Sequence, residues 1–273
     1  MSPESDVKLD EALKNPISLL SWVYNEEPNI GEWIAQIRPY VKEIIVIDCE
    51  STDGTPTVIR ECFPEVKLYI LPHLVCGDQY RLQLVQMATQ PWILWSYPDE
   101  RWPEKTLKVF EKLVQSNQYN AFSFMRHEYL DDERVRFGLP NNEEGFGFHG
   151  TDKFPNYQTR LFKRGEGIWW SDLVHAEYHG PARVCPMPPE YYMEHRKTRK
   201  DQEFDNIRTY LWLKYLIWKY GDTTLEPFKT FIDSYKRIER ETLASRPELP
   251  AEAEWWKWRE HMKLPGFTRA EGT

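Results

Sequence analysis

Acidic side chains follow apolar runs at three places in the sequence. Asp48 ends EIIVID and opens the series Asp48-x-x-Ser51-x-Asp53-Gly54-Thr55; Asn25 and Glu26 follow ISLLSWVY; Asp99 and Glu100 follow WILWSYP. A carboxylate at the end of a buried run loses water and must find donors, which a ligand edge or a divalent cation can replace. Each place also has a purely structural reading. Asp53 can cap a helix that begins near Thr55, and Asn25 and Glu26 can form a solvated loop that caps a helix before Asn29. Arg81 reads as a helix-surface cation paired with acids.

The elements needed to position these residues are legible from periodicity. Ile17 to Val23 reads as a strand; Ile30, Trp33, Ile34, Ile37 and Val41 then recur at helical spacing. Glu43 to Asp48 is a continuous apolar run ending in an acid, the pattern of a parallel strand covered on both faces. Thr55 is expected as N-cap with Pro56 at the first helical position. Val66 to Leu71 gives a third strand, Asp78 to Ala88 a helix, Trp92 to Trp95 a fourth strand, and Leu107, Phe110, Leu113 and Val114 a further helix after Pro103. This alternation predicts an α/β fold whose mostly parallel sheet is flanked by helices, with ligands at the carboxyl ends of the strands.

Beyond Ala121 the rhythm changes. AFSFMRHEYL and YQTRLFKR read as strands separated by a long polar loop, Asp131 to Asn156, and the segment from Trp169 to Tyr178 adds further strands. From Lys200 onward the pattern is helical. The expected organisation is a polar tail over residues 1–15, a sheet domain over 16–198 and a helical C-terminal extension over 199–273 packed on or beside it.

Composition narrows the function classes. A net charge of -8 with no long basic run argues against nucleic-acid binding, and 41% hydrophobic residues fill a core for a chain of 273. Cys49, Cys62, Cys76 and Cys185 have neither zinc-ligand spacing nor the density of a disulfide scaffold, which favours reduced thiols. Without an apolar leader or an apolar run of about 18 residues, the expected location is cytoplasmic, with or without a peripheral hold on a membrane. No G-x-G-x-x-G follows a predicted strand, which disfavours a dinucleotide dehydrogenase.

The ordered set SLLSWVYNEEPNI, EIIVIDCESTDGT, GDQYRLQLVQMATQPWILW, YPDE and YQTRLFKRGEGIWWSDLVHAEY resembles glycosyltransferase family 2, nucleotide-sugar transferases of the GT-A (Rossmann-like) fold. The resemblance runs from about Ile17 to about His195. It implies that Asn25, Glu26, Asp48 and Asp53 line the nucleoside site and that Arg81 lies near the base or diphosphate. It also implies a divalent cation, Mn2+ or Mg2+, bound by Asp99, with His195 as a second ligand in place of an ordinary polar histidine. Tyr97 stands where the family usually has the first acid of Asp-x-Asp-Glu; its hydroxyl can reach a ribose or phosphate, or the ring can simply fill space.

For catalysis the resemblance implies an acid on the acceptor side. The family pattern Trp-x-x-x-Val-His-Glu reads here WWSDLVHAEY, with Ala176 at the expected Glu, leaving Asp172 and Glu177 as candidate bases. Trp170 could stack on a sugar ring or pack in the core. The implied activity is inverting transfer of a sugar from a nucleoside-diphosphate sugar to a hydroxyl acceptor on a saccharide or glycan. Tyr97 and Ala176 keep open a noncatalytic nucleotide-sugar-binding protein of the same fold. A sugar-phosphate nucleotidyltransferase is disfavoured, because SWVYNEEPN has no glycine.

Overall fold

The computed structural model describes residues 15–71, 80–135, 157–166, 169–170, 178–179 and 183–198. The chain divides into two compact units, Met1–Leu71 with Asp78–Arg196 and Pro72–Gly77 with Lys197–Thr273. The helical extension expected over residues 199–273 lies outside the described residues. Among those that are described, no helix is long and apolar enough to cross a membrane.

In chain order, the first half runs β1 (Asn15–Val23), α1 (Glu27–Ile37), β2 (Val41–Asp48), α2 (Thr55–Cys62), β3 (Lys67–Ile70), α3 (Arg81–Met87) and β4 (Trp92–Trp95). There follow β5 (Glu100–Arg101), α4 (Glu104–Leu113), β6 (Ala121–Leu130), β7 (Glu133–Val135), β8 (Tyr157–Lys163), β9 (Trp169–Trp170), β10 (Tyr178–His179), β11 (Val184–Pro186) and β12 (Tyr192–Lys197). The main sheet has the order β3-β2-β1-β4-β8-β6-β12-β5, with β7 and β11 also paired to β6. β9 and β10 form a separate antiparallel pair.

The sheet is parallel from β3 through β4 and then turns antiparallel at β8. The expected α/β sheet is thus present, parallel over its first half and mixed as a whole. The cause is local in part: Leu130 pairs with Glu133, and Asp131 and Asp132 between them have φ of 49° and 65°. Positive φ at both central residues is the two-residue turn that matches strand twist, so the polar stretch after Leu130 begins as a hairpin and not as a loop.

Helix α1 shows why the first half folds as the periodicity predicts. Ile30, Trp33, Ile34 and Ile37 are fully buried, and burial of each such side chain contributes about 1.5–3 kcal/mol. In β2, every residue from Glu43 to Asp48 is buried, as expected for a strand covered on both faces. The start of α2 differs from expectation. Thr55 is the first helical residue and Gly54 holds the N-cap position; Asp53, one residue earlier, accepts the Thr55 backbone N–H at 3.0 Å and the Thr55 hydroxyl at 2.6 Å on its Oδ1. A carboxylate can accept both donors, and the threonine lies inside the helix instead of capping it.

At the end of the parallel strands away from Asp48, Glu43 is buried on β2. It accepts hydrogen bonds from the Ser18 hydroxyl, Lys67 Nζ at 2.6 Å, and the Thr89 backbone N–H and hydroxyl at 2.8 and 2.9 Å. Burial pushes its carboxyl up, but Lys67, Ser18 and Thr89 together outweigh that and bring it down to about 2. A depressed folded-state value means that this carboxylate stabilises the fold above its unfolded value near 4.5 and loses that contribution as pH falls toward 2. Glu43→Gln is expected to lower stability at neutral pH and to flatten its loss between those limits. Urea unfolding across pH 2 to 7 reads both effects.

Candidate active site

Two loops at the carboxyl ends of β1 and β2 are bound to each other. The Asn25 backbone N–H donates to Ser51 Oγ at 2.8 Å, and Asn25 Oδ1 accepts the Thr52 N–H at 2.7 Å. The Glu26 N–H donates to Thr55 Oγ1 at 2.8 Å, the Glu27 N–H to Asp53 Oδ2 at 3.1 Å, and the Gly54 N–H to Glu27 Oε2 at 2.8 Å. A Cβ at Gly54 would lie 2.5 Å from Glu27 Oε1, so a larger residue there would push the Glu27 carboxylate off the Gly54 N–H. Asn25 and Glu50 hold φ of 55° and 56°, backbone that this tight pairing imposes on non-glycine residues. The side chains of Asn25 and Asp53 thus staple the loops together, and Glu26 accepts from Asn29 Nδ2 at 3.0 Å.

Asp48 is placed differently. It is fully buried, its Oδ1 accepts the Ser51 N–H at 2.8 Å, and its Oδ2 has no hydrogen-bond partner among the described residues. Burial pushes its carboxyl up against the pull of Ser51. An acceptor held in this way gains from any N–H donor that a ligand brings to it.

The turn after β4 is built around Ser96, whose Oγ accepts both the Trp33 and Trp102 indole N–H groups at 3.1 and 2.9 Å. The Tyr97 ring packs edge-on against Trp22 and Trp95 with centroids 5.7 and 6.2 Å away. Its hydroxyl accepts from Arg81 Nη2 at 2.9 Å, while the Arg81 guanidinium stacks 5.0 Å over Trp95. Arg160 lies 5.5 Å over the Tyr97 ring and donates from Nη2 to Glu100 Oε1 at 2.6 Å. Glu100 Oε2 accepts the Tyr97 N–H at 3.2 Å, closing the turn. Two guanidinium groups therefore converge on the tyrosine that replaces an acid.

Asp99 and His195 are 96 residues apart and meet because β12 pairs with β5. His195 stands opposite Glu100 in that ladder, and the Arg196 N–H donates to the Asp99 carbonyl at 2.7 Å. His195 Nε2 lies 3.0 Å from Asp99 Oδ2, and its Nδ1 lies 2.5 Å from Glu128 Oε2 on β6. Glu128 Oε1 is paired with Arg126 Nε at 2.5 Å. Burial pushes the Glu128 carboxyl up, but Arg126 and His195 hold it well below the usual carboxylate range.

This arrangement fits a divalent cation. An ionised Glu128 only accepts, so Nδ1 carries the hydrogen; Nε2 and Asp99 Oδ2 then face each other as two acceptors that need a proton or a metal ion between them. At 3.0 Å the two atoms are within hydrogen-bond distance of each other, and a cation shared by them would replace that bond. No group of three or more His, Cys, Asp and Glu side chains gathers in ligating geometry among the described residues. Two protein donors suffice where substrate phosphates and water complete the shell.

Of the residues singled out from sequence, Asn25, Glu26, Asp48 and Asp53 share the two knitted loops, Arg81 meets Tyr97, and Asp99 meets His195. Trp170 is the last residue of β9, which touches α3, the helix opened by Arg81. Asp172, Ala176 and Glu177, between β9 and β10 in sequence, lie outside the described residues, as do Glu143 and Glu144 of the polar stretch before β8, the acids next to be considered as base if neither Asp172 nor Glu177 serves. Arg126, Glu128 and Arg160 were not singled out from sequence. The available signal was charge within a strand: Arg126 and Glu128 share one face of β6 by two-residue alternation, and Arg160 is buried in YQTRLFK.

The family model described as Glycosyl transferase family 2 matches residues 18–169, more than half of the chain. The chain belongs to glycosyltransferase family 2. The match runs from within β1 through β8, takes in all three groups of acids, and stops short of His195. Among curated relatives within reach, the SPbeta prophage-derived glycosyltransferase SunS of Bacillus subtilis (strain 168) is 24% identical over 110 residues, 40% of this chain. That alignment spans only 26% of the relative's length. The solved mannosyltransferase PcManGT from Pyrobaculum calidifontis in complex with GDP-Man and Mn2+ is similar with TM-score 0.48 and 16% identity, over 96% of this chain and 79% of that one. S. aureus TarS 1-349 in complex with UDP-GlcNAc gives TM-score 0.47 and 13% identity over 66% and 58%.

Proposed function

We propose that this family member transfers a sugar, with inversion, from a nucleoside-diphosphate sugar to a hydroxyl acceptor on a saccharide or glycan, with Mn2+ or Mg2+ bound by Asp99 and His195. The observation that carries the reading is the Asp99–His195 pair, 3.0 Å apart and brought together by the β5–β12 ladder. Asp48, at the carboxyl end of β2 beside the paired loops and with Oδ2 unbonded among the described residues, supports a nucleoside site there. Arg81, fixed by Tyr97 and Trp95, is a cation suited to the diphosphate. A divalent cation bound at this site supplies Lewis-acid neutralisation of the leaving diphosphate. The attacking hydroxyl must lose a proton, a role assigned to Asp172 or Glu177.

The engagement of Tyr97 with Arg81, where the family has an acid, supports the second reading, a nucleotide-sugar-binding protein without turnover. Calorimetric titration of UDP- and GDP-sugars with Mn2+ and with EDTA tests donor binding: cation-dependent binding of at least one donor is expected, and none with any donor would overturn both readings. Once a donor and acceptor are in hand, one of Asp172→Asn and Glu177→Gln is expected to cut turnover by about 10²- to 10⁴-fold with nucleotide affinity unchanged. Normal turnover in both variants places the base elsewhere, with Glu143 and Glu144 next in line.

A further inference from the structure

The charged residues of β6 have a use that neither donor nor acceptor binding absorbs. Arg126 and Glu128 lie on one face of the strand, and both are largely shielded from water, at 17% and 8% side-chain exposure. A carboxylate placed there only to neutralise Arg126 would need one oxygen. Glu128 uses the other on His195 Nδ1, at 2.5 Å, while the Arg126 charge lies 2.5 Å from the first and favours the ionised carboxylate.

We propose that Glu128 is a positioning residue for the cation site. Its carboxylate fixes the plane of the His195 ring and keeps the ring hydrogen on Nδ1, so that the Nε2 lone pair is presented beside Asp99 Oδ2; Arg126 in turn is paired with Glu128. The inference rests on the reading of Asp99 and His195 as cation ligands. The geometry has the form of a carboxylate–imidazole–metal relay, in which the outer carboxylate sets the tautomer and raises the basicity of the ligating nitrogen. Of the His195 ring's two nitrogens, one faces Glu128 and the other Asp99, so the ring's orientation is defined from both sides.

Loss of such an outer partner typically costs about 10- to 100-fold in metal affinity. The test is Mn2+ binding to the full chain, read as loss of the free-ion EPR signal, alone and with saturating UDP or GDP. Glu128→Gln, nearly isosteric and still able to accept from Nδ1, is expected to weaken Mn2+ binding by about 10- to 100-fold relative to wild type. Wild-type affinity in a folded Glu128→Gln overturns the proposal while leaving the cation site standing. Absence of Mn2+ binding by the wild type, with either nucleotide, overturns the cation reading and this inference together. A second measurement needs no variant: 15N spectra of histidine-labelled, Mg2+-loaded wild type should show the His195 ring as the Nδ1–H tautomer, and an Nε2–H tautomer would overturn the proposal.

Discussion

Asp99→Asn is expected to abolish Mn2+-dependent binding of nucleoside diphosphate and to lower any turnover by roughly 10²- to 10⁴-fold, the equivalent of the several kcal/mol that a Lewis acid supplies to a leaving group. The substitution is nearly isosteric. It removes the negative charge facing His195 Nε2 but leaves the backbone contact between Arg196 N–H and the Asp99 carbonyl that ties the turn to β12. The Asp99 side chain is 19% exposed, so its loss of charge leaves the core intact. Thermal unfolding close to wild type, with calorimetry showing the same weak affinity in Mn2+ and in EDTA, is the expected combination. Equal metal-dependent affinity in both proteins would remove Asp99 from the site.

The other large effect falls on stability. Glu100 is fully buried and its only cationic partner among the described residues is Arg160, itself 8% exposed. Separation of such a pair leaves a charge with no compensation in low dielectric, which costs about 3–5 kcal/mol. Arg160→Met is therefore expected to lower the melting temperature by roughly 6–20 °C, at about 2–4 °C per kcal/mol for a domain of this size. The loss should be largely recovered in Glu100→Gln/Arg160→Met, because no buried charge is then left without a partner. Calorimetric melting of the two variants decides it: equal damage in single and double variants would mean that Arg160 acts through its stacking on Tyr97 and not through Glu100.

How far the sequence foretold this site depends on how far apart the partners lie. The ends of β2 and β4 were legible because EIIVID and WILW are unbroken apolar runs that stop at acids. The local role of Asp53 at the start of α2 was legible as an alternative, since its partner Thr55 is two residues away. What Asp99 and Glu100 hold was not equally open to reading. His195 was reached only through family resemblance, and Arg160, 60 residues from Glu100, was not reached at all. Glu128 escaped for the same reason: its partner His195 is 67 residues further on, and only the closing of β6 against β12 brings them together. The switch to antiparallel pairing at β8 was equally hidden, because strand direction depends on how the connections run and not on the composition of the strand.

Release of nucleoside diphosphate from UDP- and GDP-sugars by the wild-type chain, measured in Mn2+ and again in EDTA, tests the central claim most directly. The account predicts slow, Mn2+-dependent release with at least one donor, accelerated by a suitable hydroxyl acceptor and lost in Asp99→Asn. Tight, Mn2+-dependent binding of a nucleotide sugar with no release across a broad acceptor panel would contradict it and leave a binding protein built on a transferase fold.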